Sequence, residues 1–152
     1  MIKKLRDFII LNEGFKLKPY RCTAGKMTIG VGYNYEDRGF TTEVLTAILN
    51  EGFTEALAYS LLEDDMDMCI SALRDTYVWY SQLDEVRMIA VTDMFYNLGA
   101  DRFSRFKKMI KAFEERNYQE AANQAIDSAW YHQVGDRSKR IVYMIRTGKW
   151  GE

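Results

Sequence analysis

The chain has 152 residues, 47% hydrophobic and 28% charged, an ordinary globular composition with enough apolar mass for one good core or two small ones. Its early apolar run, 8–11, is far short of the roughly 20 residues that cross a bilayer, so no stable membrane insertion is expected. The formal charge is only −1, but residues 1–40 sum to +4, residues 41–100 to −9 and residues 101–152 to +4. Basic ends suit an anionic polymer such as a cell wall or a nucleic acid, and suit equally well a plain solvated surface. No nucleic-acid motif accompanies them. The start Met1-Ile2-Lys3-Lys4-Leu5-Arg6-Asp7 leads into no long apolar region, so no export signal is visible. Cys22 and Cys69 allow one disulfide and no framework. With His132 the only histidine, no cluster has metal-ligand spacing, and neither a metal nor a cofactor is expected.

In chain order, Ile2, Leu5, Phe8, Ile9 and Leu11 recur at helical spacing and predict a short amphipathic helix, with Gly14 as its C-cap just after Glu13. Residues 15–31 read as a β-hairpin around a turn at 23–26, followed by a third short strand near 33–36. Pro19 assigns the first strand to an edge, and Gly30 and Gly32 leave room for a close approach. A short helix can begin at 41–43. Thr54 reads as an N-cap, and Leu62, Met66, Cys69, Leu73 and Tyr77 form one apolar stripe of a long helix that can run to 80 or break near 76–80. Cys69 on that stripe reads as core. Further helices are expected over 83–98, ended by Gly99, and over 103–114, 118–128 and 136–147, the last capped by Asp136 or Ser138. The order of helix, β-rich segment, long helix and helical remainder predicts an α+β, mainly α protein with segregated parts.

Glu13 closes a helix and precedes a hairpin, a position where a catalytic carboxylate can sit, although most glutamates are solvated. Its spacing is more telling. Glu13, eight residues, Cys22, five residues, Thr28, followed by Ile29-Gly30-Val31-Gly32, resembles the signature of the phage T4-type lysozymes (glycoside hydrolase family 24), which is Glu, eight residues, Asp or Cys, five residues, Thr. Leu83-Asp84-Glu85-Val86-Arg87, Met94-Phe95-Tyr96-Asn97-Leu98-Gly99, Ser128-Ala129-Trp130-Tyr131-His132-Gln133, Arg137-Ser138-Lys139-Arg140 and Arg146-Thr147-Gly148-Lys149-Trp150 are similar to that family in the same order. The resemblance runs from about residue 5 to residue 150 and is weakest over 35–80.

The resemblance implies a lysozyme-like fold with a small β-sheet lobe (13–53), a connecting helix (54–80) and a helical C-terminal lobe (81–152) on which the first helix (1–12) packs, in one lysozyme domain over 1–152. It implies that the substrate lies in the cleft between lobes. The implied activity is muramidase hydrolysis of the β-1,4 bond between N-acetylmuramic acid and N-acetylglucosamine in bacterial peptidoglycan, by a monomer. The implied role is that of an endolysin, which waits in the host cytoplasm until a holin opens the way to periplasmic peptidoglycan. Glu13 matches the catalytic acid and Arg137 an arginine that pairs with it. An acid working near neutral pH needs a raised pKa, which an ion pair opposes and burial under substrate favours; burial is expected to win.

Cys22 stands where an inverting glycosidase would use a second carboxylate. Three roles are open: a thiolate acting as base or nucleophile, a group orienting water together with Thr28, which is the reading favoured here, or a dispensable side chain. Tyr96, Asn34, Met109 and Gln124 match sugar-contacting positions, with Asn34 and Met109 departing from the residue types usual there. Tyr33 replaces a histidine of the T4-type enzyme, so Asp65 is expected to lack its ion-pair partner. Two alternatives share the substrate or drop the chemistry. A lytic transglycosylase needs one acid/base, because the sugar's own 6-hydroxyl attacks. A non-catalytic wall-binding or phage structural module needs none.

Overall fold

The computed structural model describes residues 1–151. Helix α1 (Ile2–Glu13) buries Leu5, Phe8 and Ile9, spaced i, i+3, i+4, while Ile2 and Leu11 face outward. It ends as its glycine requires: Gly14 takes φ +82° and its N–H donates to the Ile10 carbonyl at 2.8 Å.

Three antiparallel strands follow, β1 (Lys16–Arg21), β2 (Met27–Gly30) and β3 (Tyr33–Asn34), in that spatial order. β1 lies at the edge, where Pro19 loses no ladder bond, and its register with β2 is irregular between Lys16 and Tyr20. The connecting turn is closed by Cys22 N–H to the Lys26 carbonyl at 2.9 Å and Gly25 N–H to the Cys22 carbonyl at 2.8 Å. β3 is shorter than the sequence suggests because Asn34 starts a helix: its Oδ1 accepts from the Asp37 N–H at 3.1 Å and caps α2 (Tyr35–Arg38). Helix α3 (Thr42–Glu51) is capped by Thr41.

Helix α4 (Glu55–Thr76) starts at the expected cap, with the Leu57 N–H donating to Thr54 Oγ1 at 3.1 Å. Leu62, Met66, Ile70 and Leu73 are buried along it. It stops at Thr76, where β-branched and aromatic residues cluster, and a 3-10 turn (Val78–Gln82) succeeds it. Asp84 caps α5 (Glu85–Ser104), whose backbone leaves the helical region at Gly99 (φ 78°, ψ 165°), so the first helix ends at the expected glycine and a second runs on to Ser104. Helices α6 (Lys107–Glu114), α7 (Tyr118–Ile126), α8 (Ala129–Gln133) and α9 (Asp136–Thr147) complete the chain. Neither expected cap serves α9. Gly135 holds the N-cap position, and Ser138 Oγ bonds the Tyr131 and Gly135 carbonyls at 2.6 and 2.8 Å.

The fold is mainly α and lysozyme-like. Its contacts group it into two compact units. One is Arg6–Met66; the other joins Met1–Leu5 to the chain from Asp67 onward. The second holds the larger core, with Leu73, Tyr80, Ile89, Met94, Phe103, Phe113 and Ile141 fully buried, each such side chain stabilising by about 1.5–3 kcal/mol. Tyr80 keeps its hydroxyl satisfied there by Thr92 Oγ1 at 2.7 Å. No helix of the described residues is long and apolar enough to cross a membrane. Cys22 and Cys69 are not joined in a disulfide.

Candidate active site

Glu13, Cys22, Thr28 and Asn34 all fall in the unit Arg6–Met66. Glu13 ends α1 half-buried. Its carboxylate lies against the backbone of Gly32, where a Cβ would come within 2.9 Å of Oε2 and 3.2 Å of Cδ. Gly32 also adopts φ +65°, a conformation that L side chains resist. The room expected at this glycine is therefore taken by the chain's own candidate acid. Gly30, with a Cβ position 3.2 Å from the Phe53 ring, packs against a different neighbour.

Cys22 follows β1 and opens the hairpin turn. Its thiol titrates below the ordinary cysteine value. The main cause is hydrogen bonding from the backbone of Lys26, which outweighs partial burial; the Ala24 backbone and the Thr28 hydroxyl add to it. Thr28 is 2% exposed and its Oγ1 donates to the Lys26 carbonyl at 3.0 Å. A hydroxyl has one proton, so Thr28 serves either that carbonyl or the Cys22 sulfur at a given moment. Donation to sulfur favours the thiolate.

Tyr20 is a neighbour that the sequence reading missed. It pairs with Thr28 across β1 and β2, so the two side chains share a face of the sheet. Its hydroxyl is pushed up by burial first, then by the negative charges of Glu13 and Cys22. A signal was available: closing the turn as Cys22 opposite Lys26 brings Tyr20 opposite Thr28.

Asn34 is largely committed to its cap, since its Nδ2 donates to Asp37 Oδ2 at 3.0 Å while Oδ1 accepts from Asp37 N–H. The expectation for Asp65 is overturned. Arg38 grips it with both guanidinium nitrogens at 2.7 Å and also lies 4.1 Å from the Tyr33 ring centroid. The tyrosine that replaced a histidine thus holds, by its face, the arginine that took over the pairing.

Arg137, Tyr96, Met109 and Gln124 belong to the other unit. Arg137 is 7% exposed at the start of α9. Its Nε and Nη2 reach Asp93 Oδ2 and Oδ1 at 2.9 and 3.1 Å, and Nη2 also reaches the Asp93 carbonyl at 3.3 Å. Asp93, wholly buried on α5, was not singled out from sequence; 44 residues separate it from Arg137. Tyr96 is half-buried on the next turn. Met109 is 1% exposed, yet it joins Gln124 in lining a groove of about 380 Å³ with Arg105, Phe106, Lys107, Lys108, Asp127 and Ser128. Gln124 donates to Glu120 Oε1 at 2.7 Å. The exposed imidazole of His132 packs edge-on to Tyr131.

The structure brings together a carboxylate at a helix end and a hairpin that carries a thiol and a hydroxyl, in a mainly α chain. Comparison with known proteins names the family. The phage lysozyme family model matches residues 11–144. The chain is 30% identical to "Probable T4-type lysozyme 2" of Dictyostelium discoideum over 164 aligned positions, covering 97% of this chain and 96% of that protein. "Probable T4-type lysozyme 1" of the same organism is 28% identical at the same coverage. "Pre-baseplate central spike protein Gp5" of Enterobacteria phage T4 is 24% identical over 95% of this chain and 28% of its own length. The chain belongs to the phage lysozyme family and is a lysozyme-type peptidoglycan hydrolase.

Proposed function

We propose that this protein is an N-acetylmuramidase that hydrolyses the β-1,4 bond between N-acetylmuramic acid and N-acetylglucosamine. The observation that carries the reading is the seat of Glu13: a half-buried carboxyl against Gly32, whose charge is felt by Tyr20 beside Cys22 and Thr28. Glu13 donates its proton to the glycosidic oxygen, which makes the departing sugar an alcohol instead of an alkoxide. Cys22 together with Thr28 orients the attacking water, and the hydrogen bonds that lower the Cys22 pKa make its sulfur the better acceptor for that water. Water adds to the anomeric carbon as the bond to the leaving oxygen breaks, the water's proton returns by way of solvent to the Glu13 carboxylate, and both new hydroxyl groups leave with their products.

Arg137 enters as the orienting partner of Glu13 through the family resemblance, and the Asp93 fork fixes its guanidinium. Asn34, Tyr96, Met109 and Gln124 enter the same way, as sugar-contacting residues. The biological role proposed is host lysis with release through a holin, supported by the phage lysozyme family match.

The thiol in place of a second carboxylate favours one competing reaction, lytic transglycosylation, which needs only Glu13. Digestion of purified peptidoglycan separates the two. A reducing end is the expected product, and a 1,6-anhydro sugar would replace hydrolysis by transglycosylation. In the Glu13→Gln variant the rate should fall by about 10²–10⁴-fold. Full activity in that variant would remove Glu13 from the chemistry.

A further inference from the structure

A groove on the exposed side of α9 is used by none of the chemistry above. It is lined by Asp136, Lys139, Arg140, Tyr143, Trp150 and Gly151 and encloses about 610 Å³, within the range of small-ligand sites. The four helical members are spaced i, i+3, i+4, i+7, so they make one stripe along α9. The opposite side of the helix does the packing: Ile141, Val142, Met144 and Ile145 are all buried. Two aromatic rings remain in the open, with Tyr143 45% and Trp150 41% exposed. Rings of that kind, apolar in body and polar at one tip, stack on the C–H faces of sugars.

The segment carrying Trp150 is built into the fold. Gly148 turns the chain in the left-handed conformation (φ 67°), and a Cβ there would meet Arg87 Nη1 at 2.8 Å. Arg87 in turn bonds the last carbonyls of α9, Ile145 at 2.7 Å and Arg146 at 3.3 Å. Gly151 then lies so close to α9 that a Cβ would stand 3.1 Å from both Cα and O of Arg140. Two glycines and one arginine clamp thus bring Trp150 back along the stripe that bears Tyr143. A platform set in advance loses little entropy when a ligand binds.

The charges select the ligand. Lys139 supplies an exposed cation on this stripe, and its contact with Asp136 is a loose 3.5 Å between exposed side chains. A neutral sugar uses the rings alone. A sugar polymer bearing carboxylates also uses the cation, and a peptidoglycan strand carries them on its stem peptides, or on the lactyl ether of a muramic acid that bears no peptide. We propose that this groove is a second, non-catalytic binding site for the glycan strand of peptidoglycan, with sugar faces on Tyr143 and Trp150 and a carboxylate on Lys139. The inference rests on the substrate class proposed above. Its consequence is retention of the enzyme on insoluble wall between cuts.

The test uses the full chain with Glu13→Gln, so that strands stay intact, and measures co-sedimentation with purified insoluble peptidoglycan. Adding Tyr143→Ala and Trp150→Ala should weaken binding by about ten-fold or more. Lys139→Glu, at an exposed position, should weaken it several-fold and flatten its salt dependence. In the Glu13-intact protein these changes should leave turnover of short soluble muramyl oligosaccharides unchanged while slowing digestion of whole walls. Unaltered sedimentation of both variants overturns the inference. So does loss of binding to anionic phospholipid vesicles in place of peptidoglycan, which would make the groove a membrane-facing surface. Failure of the muramidase reading shows up elsewhere, as wild type that cuts neither substrate.

Discussion

The two units solve the problem of placing a reactive side chain in opposite ways. In Arg6–Met66 the candidate chemistry sits within about twenty residues of sequence, at the end of α1 and on the hairpin after it, whose first strand is exposed at every position but Tyr20. Backbone geometry does the placing: a left-handed glycine beside Glu13, a closed turn beneath Cys22, and polar ties such as Lys26–Asp37 at 3.0 Å and Met27 N–H to Glu36 at 2.8 Å. In the helical unit Arg137 is placed by burial, against a carboxylate with no exposed surface. The first arrangement is local and should respond to small backbone changes. The second is non-local and should respond to lost charge balance.

That contrast breaks most visibly at Asp93. Asp93→Ala strips a buried guanidinium of its fork and should destabilise the protein by about 3–5 kcal/mol. Urea denaturation reads it, as a lower midpoint with an unchanged slope. Asp93→Asn keeps the shape and one acceptor and should fall between. A wild-type midpoint in Asp93→Ala would show that Arg137 is not held by charge.

Gly32→Ala tests the other unit. The substitution imposes a strained φ and a methyl 2.9 Å from Glu13 Oε2, so a stability loss of roughly 1–3 kcal/mol is expected. Activity should fall with it, because relief requires the carboxylate to move. Gly14→Ala supplies the control, since Gly14 has a similar φ of +82° but open space around its Cβ position. Equal activity losses in the two variants would attribute the effect to backbone strain alone. A smaller effect is expected at Arg38, which is 41% exposed where Asp65 is nearly covered. Arg38→Ala should cost about 1 kcal/mol or somewhat more, a bidentate pair at the surface edge being worth little beyond that.

The same contrast explains what could be read from the sequence. Gly14 as a cap, Thr54 as a cap, Pro19 at an edge and the hairpin holding Cys22 and Thr28 depend on neighbours a few residues away, so pattern and turn chemistry reveal them. Tyr20 lay within reach of the same logic through strand register. Asp93 did not. It lies between Thr92 and Met94 in a run buried from Ile89 to Phe95, and only folding tells that a charge in such a run meets Arg137. The Arg38–Asp65 pair was hidden for a related reason: an arginine 27 residues away fills a place that the resemblance led us to expect vacant. The wholly buried Met109, matched to a sugar-contacting position, shows that a resemblance carries a location more securely than a contact.

The last expected effect is one of reactivity, with no change in fold. Folding lowers the Cys22 pKa through hydrogen bonds that favour the thiolate. The folded protein therefore binds fewer protons at this group than the unfolded chain over the pH interval between the two pKa values. The linked stability is present above the unfolded value and is lost as pH falls through the folded one. The thiol is too exposed for that contribution to be large, so reactivity is the better readout. Alkylation of Cys22, followed by mass spectrometry, should reach half its maximal rate at a lower pH in native protein than in urea. Thr28→Val removes the one stabilising hydroxyl and should move the native midpoint back upward, in step with any pH dependence of catalysis that the thiolate provides. Coincident native and denatured midpoints would leave Cys22 an ordinary thiol and return the chemistry to Glu13 alone.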